Sequence, residues 1–522
     1  MTRLATYIYL RRPDTHLAWG RSLASLLWLS WLSGCGGETA SPGASMVLPA
    51  PAMATSVNAT PAPAPALNSV LSLQAQANGE GAAQTLSNGA TITSEHAFFK
   101  AFGNGRSCAS CHREDQGWSI TPEKLKILFD QSQAQDPVFR LIDGATSPHA
   151  AVANLEQKKL AYSLLLNKGL IRVALPLPAN AEFRISKFDD PYGNASTQEI
   201  SVFRRPLPVS NLKFLSTLMW DSRETQTATK SDLCIKNSQP LRCFASPESD
   251  LMHQANSAVT GHAEAAQGLT NTEQKAIADF EKSLFLAQVR SNRGGKLDEA
   301  GARGGVQNLV SQPFYFGIND LENGDYQTGA TFNRNVFTFY AAWRGLDRPV
   351  PGINGRPQAA SPQNQWRASI ARGEQIFNNK PFTVTRVAGL NDTNRATSFR
   401  ASCSSCHNVP NAGSHSIPRL FNTGVADASR RSADLPLFTL QNKSSGELLQ
   451  TSDPGLAMQT GRWADIGRFK VPVLRGLEAR SPYFHDGSAQ NVEDLVKFYN
   501  DRFAIGLSLQ EMSDLAEFLK TL

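Results

Sequence analysis

The sequence predicts an all-α protein with long loops, because apolar residues recur at helical spacing and no convincing run of alternating strands appears. Two capping boxes strengthen this prediction: Thr270-x-x-Glu273 opens one helix, and Ser508-x-x-Glu511 opens the final one. One face of the final helix carries Met512, Leu515, Leu519 and Leu522. We therefore expect amphipathic helices to build the core.

The N-terminal residues, 1–34, predict a lipoprotein signal peptide. Basic residues precede a short apolar run from Leu23 to Leu32, which is followed by Ser33-Gly34-Cys35. This ending resembles a bacterial lipobox, so Cys35 would carry lipid and become the first mature residue. An ordinary signal peptide with a chance cysteine is the alternative. The run is too short to span a membrane, and Gly36 favours an outer-membrane anchor that faces the periplasm.

The next segment, 35–90, is rich in Ala, Pro, Ser, Gly and Asn and has no apolar periodicity. The run Pro61-Ala62-Pro63-Ala64-Pro65-Ala66 is typical of it. We expect a disordered tether that joins the lipid anchor to the folded part of the chain.

Two strings have the form C-x-x-C-H, which is the attachment signature of a c-type haem: Cys108-Ala109-Ser110-Cys111-His112 and Cys403-Ser404-Ser405-Cys406-His407. The cysteines of each string form thioether bonds to the porphyrin in such sites, and the histidine is the proximal iron ligand. Zinc sites or thioredoxin-like motifs are the alternative, but the second metal-binding halves and a βαβ pattern are missing. The sequence predicts two covalently bound haems.

Each motif lies in its own predicted module. A helix with Phe98, Phe99 and Phe102 precedes the first motif, and a helix with Trp366, Ile370 and Phe377 precedes the second. A helix, the motif and a closing amphipathic helix resemble the build of small c-type cytochrome domains. We therefore expect two cytochrome c-like haem domains, 91–355 and 356–522, separated where Pro and Gly cluster between 349 and 357.

The remaining cysteines and the charge limit the other functions. After Cys35 and the four haem cysteines, Cys234 and Cys243 remain, and a local disulfide is expected in an oxidising compartment. Two free thiols are the alternative. The net charge is +6 without a block of Lys or Arg, so nucleic-acid binding is not indicated.

Several further strings support a family resemblance. They are Met219-Trp220-Asp221-Ser222-Arg223, the spacing from Gln254 to Glu264, Phe469-Lys470-Val471-Pro472-Val473-Leu474-Arg475, and Pro482-Tyr483-Phe484-His485-Asp486-Gly487. With the haem motifs, they resemble the bacterial di-haem cytochrome c peroxidase superfamily, in particular its MauG-like branch. The resemblance covers most of 91–522. It implies two all-α cytochrome c-like domains whose haems face each other across an interface.

The resemblance also implies roles for individual residues. His112 would hold the haem that reacts with hydrogen peroxide, His407 would hold the electron-transfer haem, and Trp220 would lie between them. A core indole is the alternative for Trp220. Cleavage of the O–O bond moves a proton from one oxygen to the other, so Glu264 is the predicted acid/base and Gln254 its hydrogen-bonding partner. His262 or His253 would share this task, or these polar residues cap helices and face solvent.

Two departures from the peroxidases concern the iron ligands. Peroxidases that need reductive activation have a removable distal histidine shortly before the string that contains the tryptophan. The matching stretch here, 196–205, contains no histidine, so the first haem is expected to be open without such activation. Tyr499 falls where the peroxidases place a methionine ligand and MauG-like enzymes a tyrosine, so it is the predicted second ligand of the other haem. A buried helix tyrosine is the alternative, and Met458 and Met512 are poorer candidates for the ligand.

A third departure concerns calcium, which the family often holds between the domains. Arg205 falls at the position of the asparagine ligand, and a cationic side chain cannot ligate calcium, so calcium is not favoured. Two insertions distinguish this chain from short peroxidases, one between His112 and Trp220 and one between Trp220 and Gln254. They either shape access to the first haem or elaborate the surface.

The resemblance predicts an enzyme that reduces hydrogen peroxide or uses it as an oxidant. Its electrons would come from a small periplasmic cytochrome c, a cupredoxin or an oxidisable protein side chain. One alternative is a non-enzymatic di-haem electron carrier or redox sensor. Another is a di-haem oxygenase that acts on an apolar polymer, which Glu264 argues against.

Overall fold

The computed structural model describes residues 70–89, 94–225, 233–235, 242–244, 247–352, 355–393 and 396–522. The predicted signal peptide, Cys35 and residues 36–69 of the predicted tether lie outside this part of the chain, so they remain predictions. Among the described residues, no helix is both long enough and apolar enough to cross a bilayer.

The prediction of an all-α fold is wrong, because the described part of the chain is 30% helical and 19% strand. The helices are α1 (Pro122–Ser132), α2 (Leu155–Ala161), α3 (Ser163–Lys168), α4 (Pro247–Gly261), α5 (Asn271–Ser283), α6 (Gln307–Val310), α7 (Pro362–Asn379), α8 (Cys403–Cys406), α9 (Ala457–Thr460), α10 (Val492–Phe503) and α11 (Leu509–Leu519).

The strands are short and antiparallel. They are β1 (Val70–Ser72), β2 (Gln76–Asn78), β3 (Gly81–Asn88), β4 (Ile171–Pro176), β5 (Phe183–Asp189), β6 (Glu199–Arg204), β7 (Leu233–Ile235), β8 (Arg242–Phe244), β9 (Leu284–Ser291), β10 (Gly295–Lys296), β11 (Val350–Pro351), β12 (Pro357–Gln358), β13 (Phe382–Thr385), β14 (Ser398–Ala401), β15 (Leu420–Phe421), β16 (Leu437–Asn442), β17 (Leu448–Thr451) and β18 (Phe469–Lys470). One sheet has the order β1-β3-β9-β10 with β2 beside β3, and another has the order β17-β16-β5. The other sheets are two-stranded pairs.

Two physical reasons explain why the strands were missed. In β5, Phe183 and Ile185 are buried while Arg184 is exposed, but this alternation is too short to stand out. In β9, the run from Leu284 to Ala287 is buried throughout and follows α5 without a break. A continuous apolar run does not distinguish a buried strand from a helix. Leu284, which lies at helical spacing from Ile277 and Phe280, is therefore the first residue of a strand.

The predicted disordered tether is wrong for its last part, 70–89, which forms β1, β2 and β3. Strand β3 pairs with β9 along seven residues, and Leu86 is fully buried against that strand. The hydroxyl of Thr85 accepts a hydrogen bond from the indole of Trp118 over 2.9 Å. Composition indicated a tether because β3 is rich in small residues, but pairing to a buried partner strand overrides such a local preference.

Several predicted helices are confirmed. The capping boxes at Thr270 and Ser508 open α5 and α11. Helices α7 and α11 pack together, with Ile370 and Phe377 in the same cluster as Leu515. The segment around Phe98 forms turns and not the expected helix, although Phe98 itself is fully buried.

Two clusters of buried apolar residues surround the two motifs. The first includes β3, α4 and α5 and packs against Cys108. The second includes α7, α10 and α11 and packs against Cys403. Residues between Leu297 and Trp343 also belong to the second cluster, so one core spans the predicted domain boundary at 355. The backbones of Cys234 and Cys243 lie opposite each other in the β7–β8 pair, but their side chains lie outside the described part, and the disulfide stays a prediction.

Candidate functional site

The first motif begins with a short turn of 3-10 helix, Cys108–Ser110, whose backbone is fixed by Ser107 and Ser110. This turn presents His112 with its Nδ1 3.2 Å from the carbonyl oxygen of Trp118. An imidazole that donates its Nδ1 hydrogen to a carbonyl presents Nε2 as the metal ligand. Burial lowers the pKa of His112 to about 4, so the ring is neutral, as iron ligation requires.

The second motif repeats this local design in α8, which Ser402 and Ser405 cap. The Nδ1 of His407 lies 2.5 Å from the carbonyl oxygen of Gly413. Burial lowers the pKa of His407 to about 4. Both histidines therefore keep Nε2 available as a metal ligand.

Each motif opens onto a cavity. We call the cavity that contains Cys108, Cys111 and His112 the first cavity, and the one that contains Cys403, Cys406 and His407 the second cavity. Their empty volumes, including their mouths, are about 1260 and 1580 Å³.

The two cavities share one wall. It consists of Arg205, Pro206, Leu207, Pro208 and Trp220. The indole of Trp220 is half-buried, and its Nε1 donates to the carbonyl oxygen of Arg205 over 2.8 Å. On the side of the second cavity, the ring of His485 lies 6.3 Å from that of Trp220 and stacks on Phe469 at 4.2 Å.

Three cationic residues that line the second cavity, Arg205, Lys470 and Arg480, fit a cofactor that carries carboxylates. Arg205 and Lys470 are 5% and 4% exposed, and their hydrogen bonds go to backbone carbonyl oxygens. Burial lowers the pKa of Arg205 to about 9, that of Lys470 to about 7 and that of Arg480 to about 10. The Nε of Arg480 has no hydrogen-bond partner among the described residues. Buried cations are costly without counter-ions, and haem propionates would provide them.

The second cavity contains Tyr499 as well as His407. Burial, and then the neighbouring Cys406 thiol, raise the pKa of Tyr499. Met458 belongs to a different apolar cluster, and Met512 packs against the cluster that includes α11. Neither methionine lines the second cavity. Of the three predicted candidates for the second ligand, only Tyr499 therefore lines the cavity.

The predicted acid/base residues are separated by the structure. Gln254, His262 and Trp220 line the first cavity, but Glu264 does not. Glu264 is exposed, lines a separate surface cavity, and accepts a hydrogen bond from the Asn104 amide over 2.8 Å. Its backbone φ of 51° turns the chain sharply after α4. His253, the other histidine nearby, pairs with Glu224 at 2.6 Å and is also outside the first cavity.

Two acidic residues of the first cavity were missed by sequence reasoning. Asp143 lies in the insertion before Trp220, and its Oδ2 is 2.5 Å from the Nδ1 of His262. No local pattern reveals such a contact across 119 residues. Glu281 is 3% exposed, and burial raises its pKa to about 8. It follows Ile277 by one helical turn, so an acidic residue on the apolar face of α5 was a signal that could have been used.

At the position where the family places a calcium ligand, the side chain of Arg205 forms hydrogen bonds within the protein. The guanidinium of Arg205 donates to the carbonyl oxygens of Ile120, Lys168 and Arg480 at 2.7, 2.9 and 3.2 Å. Among the described residues, no group of three or more His, Cys, Asp and Glu side chains is arranged to hold a metal ion. That calcium is possible but not favoured stays an untested prediction.

Comparisons with known proteins identify relatives for part of the chain. Cytochrome-c peroxidase IdrP1 of Denitromonas iodatirespirans is 30% identical over 145 residues, which cover 24% of this chain and 38% of that protein. Cytochrome c551 peroxidase of Nitrosomonas europaea is 32% identical over 122 residues, covering 23% and 30%. Cytochrome-c peroxidase IdrP2 of Pseudomonas sp. (strain SCT) is 29% identical over 199 residues, covering 32% and 53%. The chain thus matches about a third to a half of each relative's length.

The other comparisons add little. No protein-family model matches the chain. A crystal structure of a MauG-like protein associated with microbial copper homeostasis covers 82% of this chain and 87% of its own, at 14% identity and a TM-score of 0.32, which does not establish a shared fold. The predicted relationship to the bacterial di-haem cytochrome c peroxidase superfamily is nevertheless confirmed by the named peroxidases.

Proposed function

We propose that this chain is a di-haem c-type oxidoreductase that reacts with hydrogen peroxide at the first cavity and exchanges electrons through the second. The observation that carries the proposal is the pairing of two C-x-x-C-H motifs with two cavities that share the wall containing Trp220. The relationship to cytochrome c peroxidases supports it.

The residues of the motifs would hold the cofactors. Haem iron, when bound, supplies the one-electron and peroxide chemistry that protein side chains lack. Cys108, Cys111, Cys403 and Cys406 would attach the two porphyrins. Their neighbours His112 and His407, oriented by hydrogen bonds from Nδ1, would present Nε2 to iron.

Residues of the chain would also transfer protons and electrons. Peroxide reduction needs a group that accepts and returns a proton. Of the predicted residues that line the first cavity, His262 would carry this proton and Gln254 would form hydrogen bonds. In the second cavity, Tyr499 would provide a phenolate ligand, which lowers the potential relative to methionine. An electron that passes between the cavities would cross the shared wall through Trp220.

The partners and the location follow from the same proposal. The substrate is hydrogen peroxide. The electron source is a small periplasmic cytochrome c, a cupredoxin or an oxidisable protein side chain, as in a MauG-like enzyme. We also propose that 91–355 and 356–522 act as the peroxidatic and electron-transfer domains, and that lipid on Cys35 anchors the protein in the outer membrane.

Stoichiometric peroxide added to the diferric protein tests the proposal. We expect a high-spin ferric EPR signal before addition and a rapid change in the optical and EPR spectra afterwards. Two low-spin irons without any response would contradict the proposal and favour an electron carrier or a redox sensor. A response only to dioxygen with an apolar polymer would favour an oxygenase.

A further inference from the structure

The first cavity contains a buried ion pair, Arg106–Asp143, whose carboxylate also contacts the partly exposed ring of His262. The Nη1 of Arg106 lies 2.5 Å from the Oδ1 of Asp143, and the Nδ1 of His262 lies 2.5 Å from the other carboxylate oxygen. All three residues line the cavity that contains His112. We propose that Asp143 is a positioning residue that makes His262 the proton-transfer group of the first cavity. This inference rests on the proposed peroxide chemistry and specifies which residues perform it.

The contact with Asp143 determines which nitrogen of His262 is available. A carboxylate accepts only, so Nδ1 must carry the hydrogen and Nε2 is left with a free lone pair. A group that must take a proton from hydrogen peroxide needs such a lone pair. Without Asp143, neither the tautomer nor the ring orientation would be fixed.

The backbone of His262 is held as firmly as its ring. Its carbonyl oxygen accepts hydrogen bonds from Asn104 and Arg106, each over 3.0 Å. Its amide nitrogen donates to Ala258 over 2.9 Å, which ties it to the end of α4. The face of α4 that precedes it lines the same cavity through Leu251, Gln254, Ala255, Ala258 and Val259. His262 therefore continues the lining of the cavity.

The surroundings of Asp143 favour its charged form. It is 5% exposed, and Arg106, at 3%, also donates to the carbonyl oxygens of Pro137 and Val138. Burial alone would raise the pKa of Asp143, but the hydrogen bond from His262 and the charge of Arg106 outweigh it, and the pKa is lowered. A buried carboxylate with two charge-assisted partners is a stable orienting group.

The position of Glu264 supports the same assignment. Its carboxylate points to the surface cavity formed by the insertion and is bonded to Asn104, the residue that also holds the His262 carbonyl. The resemblance assigned the acid/base role to Glu264, but His262 is the group that lines the cavity. The insertion between His112 and Trp220 thus supplies the partner that a histidine base needs.

The proton balance of the step is simple. The Nε2 of His262 accepts one proton from hydrogen peroxide and returns it to the departing oxygen. The O–O bond breaks, and its electron pair leaves with that oxygen. Reduction of one peroxide to two waters consumes two electrons from the donor and two protons from solvent.

Three variants and a control test the inference. In Asp143→Asn, the side-chain amide donates to Nδ1 and so places the hydrogen of His262 on Nε2. We expect Asp143→Asn and His262→Gln each to slow the reaction with peroxide by about 10²–10⁴-fold, the usual contribution of a proton-transfer group. The double variant should be no slower than either single variant, because the residues act as one unit. His149→Gln removes an exposed histidine that lines neither cavity and should react at the wild-type rate.

A vibrational measurement separates positioning from simple loss of structure. In the ferrous–CO complex, an Nε2 hydrogen donated to the ligand lowers the C–O stretching frequency. We expect Asp143→Asn to lower that frequency and the double variant to restore it. Asp143→Glu, which keeps the acceptor, should recover part of the peroxide rate if Asp143→Asn folds poorly.

Three results would overturn the inference. One is a wild-type rate in His262→Gln together with a large loss in Glu264→Gln. Another is an unchanged C–O frequency in Asp143→Asn. The third is a low-spin spectrum that becomes high-spin only in His262→Gln, because His262 would then be an iron ligand. A wild-type protein inert to peroxide would contradict the proposed function instead, and the C–O frequencies would still report on Asp143.

Discussion

Arg204 forms a two-point ion pair with Asp453, with its Nε 2.7 Å from Oδ2 and its Nη2 2.9 Å from Oδ1. The remaining Nη1 lies 2.5 Å from Asp221, within the string that carries Trp220. Arg204 is 2% exposed and Asp221 fully buried. This network joins the strand before the shared wall to a segment 249 residues further along the chain.

Arg204→Met should destabilise the fold strongly. It leaves the buried carboxylate of Asp453 without its arginine, and Asp221 keeps only Arg223 at 3.3 Å. Breaking a buried pair costs about 3–5 kcal/mol of unfolding free energy. Denaturant unfolding followed by far-UV circular dichroism measures the change. The control is Lys497→Met, which removes an exposed pair with Asp501 and should cost less than about 1 kcal/mol. Equal losses in the two variants would contradict the role of the network.

Trp220→Phe should slow electron exchange between the two haems several-fold while peroxide still reacts at the first cavity. The substitution keeps an aromatic ring in the shared wall but removes the Nε1 hydrogen bond to Arg205. Stopped-flow spectra that resolve the two haems measure the exchange. Trp463→Phe, near a different apolar cluster, should leave it unchanged. An unaltered rate of electron exchange in Trp220→Phe would indicate that the indole is only a packing residue.

Tyr499→Phe tests the second iron ligand. Loss of a phenolate should raise the reduction potential of that haem and change its low-spin EPR signal. Redox titration and EPR of the holoprotein measure both. Tyr192→Phe removes another tyrosine hydroxyl, bonded to the Asp434 carbonyl away from either cavity, and should change neither. An unaltered signal in Tyr499→Phe would leave this tyrosine as a packing residue.

Glu281 should make stability fall as the pH rises. Its pKa is raised to about 8 by burial, whereas an unfolded Glu titrates at about 4.3. Between these values the folded state binds a proton that the unfolded state has lost, so the free energy of unfolding decreases with increasing pH. Thermal unfolding across this range should show a weaker decrease for Glu281→Gln. Glu447→Gln, in an exposed turn, is the control, and identical slopes in all three proteins would refute the prediction.

The sequence predicted those features that short strings determine. Both haem motifs, the capping boxes and Trp220 depend on neighbours a few residues apart, and the structure places each motif on a cavity. The strands could not be read in this way, since β3 is stabilised by pairing with β9, about 200 residues later. Asp143 belongs to the same class, because its role depends on a contact with His262 that no local spacing encodes. For Glu264 the family spacing is kept, but a backbone turn places its side chain at the surface, which the spacing does not reveal.

The wall between the cavities includes two prolines, Pro206 and Pro208, whose rings fix the backbone φ. Because these two φ angles are fixed, the backbone of the shared wall moves less than an ordinary loop, and the distance between the two cavities changes little. Two haems held at a constant separation by this wall would interact electrostatically, so the charge on one would shift the reduction potential of the other. A donor that docks on either side would therefore detect the redox state of both.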